Sequence, residues 1–116
     1  MKIRLTPKQL DKLFELGVPK KAATRITSHI NSYEEYSYYY FTVTDLLDIL
    51  PKKLDQAGYD IFINIYFLHG MWVSGYEYLD LEEDKTVEIH FESNHELIDS
   101  LYQLVLWCIE NKCLEL

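Results

Sequence analysis

The sequence predicts an α+β domain, and three observations carry that prediction. Residues 59–92 hold three runs of alternating apolar and polar side chains separated by turn sequences. Residues 93–113 open with Ser93-Asn-His-Glu96, a capping signature, and continue as an apolar stripe at helical spacing. Residues 6–19 are punctuated as a short helix, with Thr6-Pro7 before it and Gly17-Val-Pro19 after it. The expected order is two N-terminal helices, a short kinked helix, a three-stranded antiparallel meander and a long C-terminal helix packed on the sheet. With 116 residues, 1–116 form a single domain large enough for one core.

The first helix is the best marked. Thr6 is its N-cap, Pro7 fills the first helical position, and Gln9 completes a Thr-x-x-Gln capping box. Leu5 and Leu10 stand where a hydrophobic staple forms; Leu10, Leu13 and Phe14 make the apolar face; Gly17 supplies the left-handed cap. A second helix is expected from about Pro19 to Asn31, with Ala22, Ala23, Ile26 and Ile30 on one side and Lys20, Lys21 and Arg25 off it. Tyr33-Glu-Glu-Tyr-Ser-Tyr-Tyr-Tyr-Phe41 then places five tyrosines in eight residues. Aromatics favour extended backbone, so this segment reads as a loop entering a strand at Tyr38–Val43. Thr44 caps a short helix lined by Leu46, Leu47, Leu50 and Leu54, which Pro51 kinks or restarts and Gly58 closes.

In the meander, Tyr59–Leu68 and Met71–Asp80 are joined by His69-Gly70 as a two-residue turn. That register puts Ile61, Ile63, Ile65 and Phe67 on one face with Trp72, Ser74, Tyr76 and Tyr78. A turn at Leu81–Asp84 returns Lys85–Glu92, setting Val87 opposite Tyr78, Ile89 opposite Tyr76 and Phe91 opposite Ser74. The last helix runs to about Cys113 with Leu97, Leu101, Leu104, Val105 and Cys108 as its core stripe. Cys108 and Cys113 stand five apart on it, roughly 8–9 Å between Cα atoms and beyond the ~7 Å reach of a disulfide. Both are expected as free thiols, which suits a reducing compartment.

Charge is split along the chain. Residues 1–31 hold seven bases against two acids, a net +5, and residues 32–116 hold four bases against seventeen acids, a net −13. Such a balance speaks to partners rather than to fold. The first helix pattern begins directly after Met1-Lys2, so no leader is expected. The most apolar stretch, Leu97–Ile109, is broken by Asp99 and Gln103 and too short for a bilayer. A cytoplasmic protein without a membrane segment is the expectation.

Four constellations bear on function. Residues 6–31 read as a degenerate helix-turn-helix whose basic second helix, carrying Lys20, Lys21 and Arg25, could neutralise phosphates. Leu13 and Ala23 depart from the usual pattern of that motif, and an acidic body opposes nucleic acid. The bland alternative is a solvated basic face that pairs with acids of the body or of another subunit. The tyrosine run, with Tyr36, Tyr38 and Tyr39, offers stacking area for a protein, sugar or base, or packs over the sheet edge. On the second sheet face Phe62, Tyr66, Leu68, Met71 and Val73 form an apolar patch that the N-terminal helices cover or that serves as an interface, most simply of a homodimer. Toward the other end of that face lie Glu77, Glu88, His90 and Glu92, with Gly75 facing His90, either a His/carboxylate cluster or a solvated strand face. The sequence has no Gly-rich phosphate loop, no zinc spacing and no nucleophile elbow, so no catalytic residue, metal or cofactor is assigned.

Three phrases together resemble a known group: Leu5-Thr-Pro-Lys-Gln-Leu with Glu15-Leu-Gly-Val-Pro19; Phe41-Thr-Val-Thr-Asp-Leu-Leu-Asp-Ile-Leu-Pro-Lys52; and Trp72-Val-Ser-Gly-Tyr76 followed by Glu96–Lys112. They are similar to small uncharacterised proteins of phages and mobile elements of gut bacteria. The resemblance implies a cytoplasmic accessory protein and transfers no functional residues. Together these readings favour a non-catalytic protein-interaction role through the second sheet face and the tyrosine segment. A DNA-binding regulator and a small-molecule or sugar-binding module are the alternatives.

Overall fold

In the computed structural model the described residues are 1–31, 34–56, 58–114 and 116. Helix α1 (Pro7–Glu15) is closed at both ends by its own sequence. Thr6 Oγ1 accepts from Gln9 N–H at 3.2 Å, and the Gln9 side chain accepts from Thr6 N–H at 2.9 Å. Gly17, at φ +104, allows Gly17 N–H to reach Phe14 C=O at 3.1 Å and Val18 N–H to reach Leu13 C=O at 3.0 Å. This double bond pattern needs a left-handed residue just past the helix, which glycine supplies without a Cβ penalty.

The expected second helix does not form. After one 3₁₀ turn at Lys20–Ala22 the chain becomes strand β1 (Thr24–Asn31), paired antiparallel with β2 (Glu34–Tyr40). The spacing of Ile26 and Ile30 suits either period, but Thr24, Ile26, Thr27 and Ile30 are all β-branched and prefer extended backbone. The helix-turn-helix at residues 6–31 is therefore absent, and the strand expected at Tyr38–Val43 begins and ends earlier. Tyr33, the first of the run, lies outside the described residues.

Helix α2 (Val43–Ile49) is capped by Thr42, not Thr44. Thr42 Oγ1 accepts from Asp45 N–H at 3.2 Å while the Asp45 carboxylate accepts from Thr42 N–H at 2.9 Å. Pro51 ends this helix rather than restarting it. Leu50, forced from helical backbone by the following proline, sits at ψ 130, and the chain enters strand β3 (Lys53–Gln56). The meander thus becomes a four-stranded sheet in the order β3-β4-β5-β6, with β4 at Tyr59–Leu68, β5 at Met71–Asp80 and β6 at Lys85–Asn94.

The β4–β5 register is the expected one, with Leu68 opposite Met71 and Ile65 opposite Ser74. His69 and Gly70, at φ 51 and 77, form the two-residue turn whose twist matches the strands. Between β5 and β6 the register starts as expected, Tyr78 opposite Val87, then shifts: Glu77 faces Glu88, whereas Tyr76 faces His90. Ile89 is the extra residue of a β-bulge. Beyond it Phe91 lies opposite Gly75 rather than Ser74, and His90 and Glu92 take the places expected for Ile89 and Phe91.

Helix α3 (Leu97–Glu110) starts later than expected, because Ser93 and Asn94 pair with Val73 and Trp72 in β6 and no Ser93 capping box forms. Its first turn is held instead by the N-terminal segment. Lys2 N–H donates to the Glu96 carboxylate at 2.9 Å, and Lys2 Nζ and Gln9 Nε2 both reach Asp99, at 2.6 and 2.9 Å. Ile98, Leu101, Leu104, Val105 and Cys108 are fully buried and pack with Phe41, Leu46, Leu50, Leu54, Ile61 and Tyr76 in one core. The sheet face carrying Ile61, Ser74 and Tyr76 is the inner face, covered by α3, against which α2 packs. Among the described residues no helix lies on the outer face. The molecule measures 66 × 32 × 17 Å with a radius of gyration of 16.9 Å, against about 13 Å for a compact chain of this length.

Gly75 marks where the sheet tolerates nothing larger. A Cβ there would stand 2.2 Å from the His90 carbonyl oxygen and 2.5 Å from the Phe91 ring. Gly75→Ala is expected to cost about 3 kcal/mol in urea unfolding. Gly70→Ala meets nothing within 4 Å and should cost only about 1 kcal/mol, for its positive φ.

Candidate interaction surface

The outer face divides into two zones. Toward the His69-Gly70 turn it presents Asn64, Tyr66 and Leu68 from β4, Met71, Val73 and Gly75 from β5, and Phe91 and Ser93 from β6, with no acidic or basic side chain among them. The Tyr66 and Phe91 rings approach to 6.0 Å across Gly75, whose missing side chain makes room for Phe91. Toward the far end the face becomes charged. Glu77 and Glu88 are directly opposed, Asn64 Nδ2 donates to Glu77 at 2.7 Å, and Lys53 pairs with Asp60 at 2.7 Å.

Side-chain exposure answers what covers the patch. Phe62 is 51% and Leu68 50% exposed, while Tyr66, Met71 and Val73 are half-buried by their strand neighbours alone. The expected cover by the N-terminal helices is not there: α1 is tied to α3 through Gln9 and Asp99, on the inner side. Phe91 belongs to this surface although the unbroken register put it inside. A glycine in mid-strand beside an aromatic-rich neighbour was the signal that could have placed it.

The bulge also dismantles the expected His/carboxylate cluster. Glu77 and Glu88 stay outside, but His90 and Glu92 turn inward. The His90 ring stacks on Trp107 at 4.6 Å and 4°, and its Nε2 meets the Glu92 carboxylate at 2.7 Å. Among the described residues no three His, Cys, Asp or Glu side chains converge as metal ligands.

The second surface is the β1–β2 ribbon. Its base is fastened: Thr24 Oγ1 donates to Asp45 at 2.7 Å, Tyr39 meets Phe14 edge-on at 6.1 Å with Lys20 Nζ 5.5 Å from its ring centre, and the Arg4 guanidinium lies 4.5 Å over Tyr40. Farther out Tyr36 and Tyr38 stack at 6.3 Å and remain exposed. Tyr39 is therefore an anchor, and Tyr36 and Tyr38 are the presented pair. The three bases expected on one helical face are dispersed. Lys20 lies over Tyr39, Lys21 lines an open cleft beside Asp45 and Asp48, and Arg25 Nε donates across the strands to Ser37 Oγ at 3.1 Å.

Beneath the sheet two buried polar contacts fix α3 in place. Ser74 and Ser100 hydroxyls meet at 2.7 Å, and the Ser100 hydroxyl reaches Glu92 C=O at 3.1 Å. Tyr76 OH donates to Pro51 C=O at 2.8 Å, and Cys108 Sγ donates to Tyr76 OH at 3.8 Å. Sequence reasoning put Ser74 on the inner face without finding Ser100 as its partner. Burial raises the Tyr76 phenol above its ordinary range and pushes the Cys108 thiol up to about 12. Both cysteines are free, but Cys108 is no nucleophile near neutral pH.

These shifts give a signed pH dependence. A thiol that ionises near 9.0 when unfolded but only at about 12 when folded contributes its full stability below pH 9, and loses it as pH rises between those values. The urea midpoint should fall as pH rises above about 9, and Cys108→Ala should remove part of that alkaline fall. Thiol labelling near pH 8 should modify Cys113 and leave Cys108 untouched until the chain unfolds.

Geometry and chemistry are the whole basis for reading these surfaces: the chain matches no protein-family model, no curated protein and no solved structure.

Proposed function

We propose that this chain is a non-catalytic interaction protein that docks a protein partner on the outer face of its sheet, with Tyr36 and Tyr38 as a second point of contact. The observation that carries the reading is the outer face itself. A two-layer α/β arrangement leaves one sheet face open, and here that face holds Phe62, Tyr66, Leu68, Met71, Val73 and Phe91 instead of solvated side chains. Three ten-residue strands and the four-residue β3, at about 4.8 Å spacing and about 3.3 Å rise, give a face of roughly 500 Å². A standard interface takes about 800 Å² from each partner, and the face alone supplies more than half of that.

The resemblance to small proteins of phages and mobile elements supports an accessory role in such an element. Two free thiols favour a reducing compartment, so the cytoplasm is the proposed setting. Among the described residues no helix is long and apolar enough to cross a membrane. The DNA-binding reading is not carried forward, because it needed a recognition helix where the chain forms β1. The clefts that gather polar groups, one with Lys21, Asp45 and Asp48 and one with Lys8, Gln9, Asp11, Lys12, Glu15 and Tyr102, are open at the surface and carry the sugar-binding reading less far than the apolar face carries a protein partner.

A photo-crosslinking side chain placed at Phe62 and, separately, at Tyr36 should trap the same protein in the native host, with Glu82 in the β5–β6 turn as control. Phe62→Ser should abolish that capture while changing stability by less than about 1 kcal/mol. Trapping at Phe62 no stronger than at Glu82 would remove the proposal.

A further inference from the structure

The edges of the sheet differ in how they are guarded. An open edge presents unpaired N–H and C=O groups, and proteins blunt it with bulges, charges or shortness. Strand β6 carries the Ile89 bulge and the charged or titratable Lys85, Glu88, His90 and Glu92. Strand β3 is four residues long and carries Lys53 and Asp55. Because β3 is short, it covers only Tyr59–Phe62 of β4. From Asn64 to Leu68 the β4 edge is open, unbulged and without charge or proline.

Hydrogen-bond parity identifies the free groups. The two-residue turn makes Leu68 and Met71 a hydrogen-bonded pair, so the even-numbered residues of β4 bond β5 and the odd-numbered ones point away. Ile63 shows the same parity, its N–H reaching Lys52 C=O on the β3 side at 3.2 Å. Ile65 and Phe67 therefore aim their N–H and C=O groups out of the edge, where no described backbone bond reaches them.

We propose that two copies of this chain pair edge to edge along residues 64–68 of β4, antiparallel about a two-fold axis at Tyr66. This inference is separate from the docking of a partner on the outer face. In that register Ile65 lies opposite Phe67 of the second copy, and the reverse, which satisfies all four outward N–H groups and their carbonyls. Asn64 lies opposite Leu68, and Tyr66 opposite itself. No charged side chain lies within the paired segment, as a contact between two chains of net charge −8 requires. Beside β4 the chain reaches as far as Ile63, through Lys52 C=O, so the paired segment begins at Asn64 and the His69-Gly70 turn of the second copy comes next to Lys52. Phe62, Phe67 and Leu68, 51%, 57% and 50% exposed, lie on or beside the seam. Covering them with the edge backbone removes on the order of 900 Å² in all. That is below a standard interface, so the dimer is concentration-dependent.

The test is sedimentation velocity of the full chain from about 10 to about 500 µM, with cysteine trapping of the register. Directly opposed residues that are not hydrogen-bonded stand about 4.5 Å apart, within disulfide reach. In a Cys113→Ser background, Tyr66→Cys should oxidise to a covalent dimer. Leu68→Cys alone should not, whereas Asn64→Cys mixed with Leu68→Cys should. Phe67→Lys, an exposed position, should leave the circular dichroism unchanged and the chain monomeric. Monomeric wild type at the highest concentration, with no Tyr66→Cys dimer, would overturn the edge pairing and leave the outer-face reading standing. A dimer trapped through Val73→Cys but not Tyr66→Cys would overturn it in favour of face-to-face packing.

Discussion

The extra residue at Ile89 decides what each side of the sheet is made of. Upstream of the bulge, β6 points Val87 toward the helices; downstream, the alternation is inverted, so His90 and Glu92 face α3 and Phe91 faces out. Everything near α3 follows from that inversion. His90 can stack on Trp107, Glu92 lends its carbonyl to Ser100, and Ser100 can meet Ser74 at 2.7 Å. Without the bulge, Ile89 and Phe91 would occupy the space that these smaller polar contacts use. The same step makes the outer face more apolar, since Phe91 settles over Gly75 and against Tyr66.

What was legible in the sequence was local. The first helix could be read from Thr6, Pro7, Gln9 and Gly17 because a capping box and a left-handed cap are satisfied within a few residues. The β4–β5 hairpin could be read because a two-residue turn sets register outright. The misreadings fall where distant pairing overrides local preference. Residues 24–31 carry an apolar spacing that suits a helix, but their backbone pairs with the tyrosine segment as a strand. Leu54 is buried as expected, yet from a strand beside Ile61, because Pro51 released the chain into the sheet. A bulge leaves no such mark in composition: Gly75 is its only trace, and a single glycine has many readings.

Five of the surface residues singled out from sequence, Phe62, Tyr66, Leu68, Met71 and Val73, share the outer face, since alternation within one correctly registered hairpin decides their side. The tyrosines separate by the same logic. Tyr39 is drawn to Phe14 and Lys20, while Tyr36 and Tyr38 stand on the other side of the strand. A two-stranded ribbon is marginal on its own in water, and this one draws its support from its base at Thr24, Tyr39 and Tyr40.

The uncovered apolar surface sits on a chain of net charge −8. The basic N-terminal segment, residues 1–31, is partly spent within the molecule: Lys2 on Asp99, Lys20 on Tyr39 and Arg4 on Tyr40. The acids are less consumed, with Glu77 and Glu88 opposed on the outer face and Glu82, Glu83 and Asp84 exposed at the β5–β6 turn. Two copies meeting at random bring like charges together, which a net −8 penalises. A close approach without that penalty is through the charge-free end of the sheet, where Leu68, Met71, Val73 and the open edge of β4 lie. In the proposed edge pairing, repulsion over most of the surface would leave that one orientation free of like-charge contact, and the role of the charge split would then be specificity of contact.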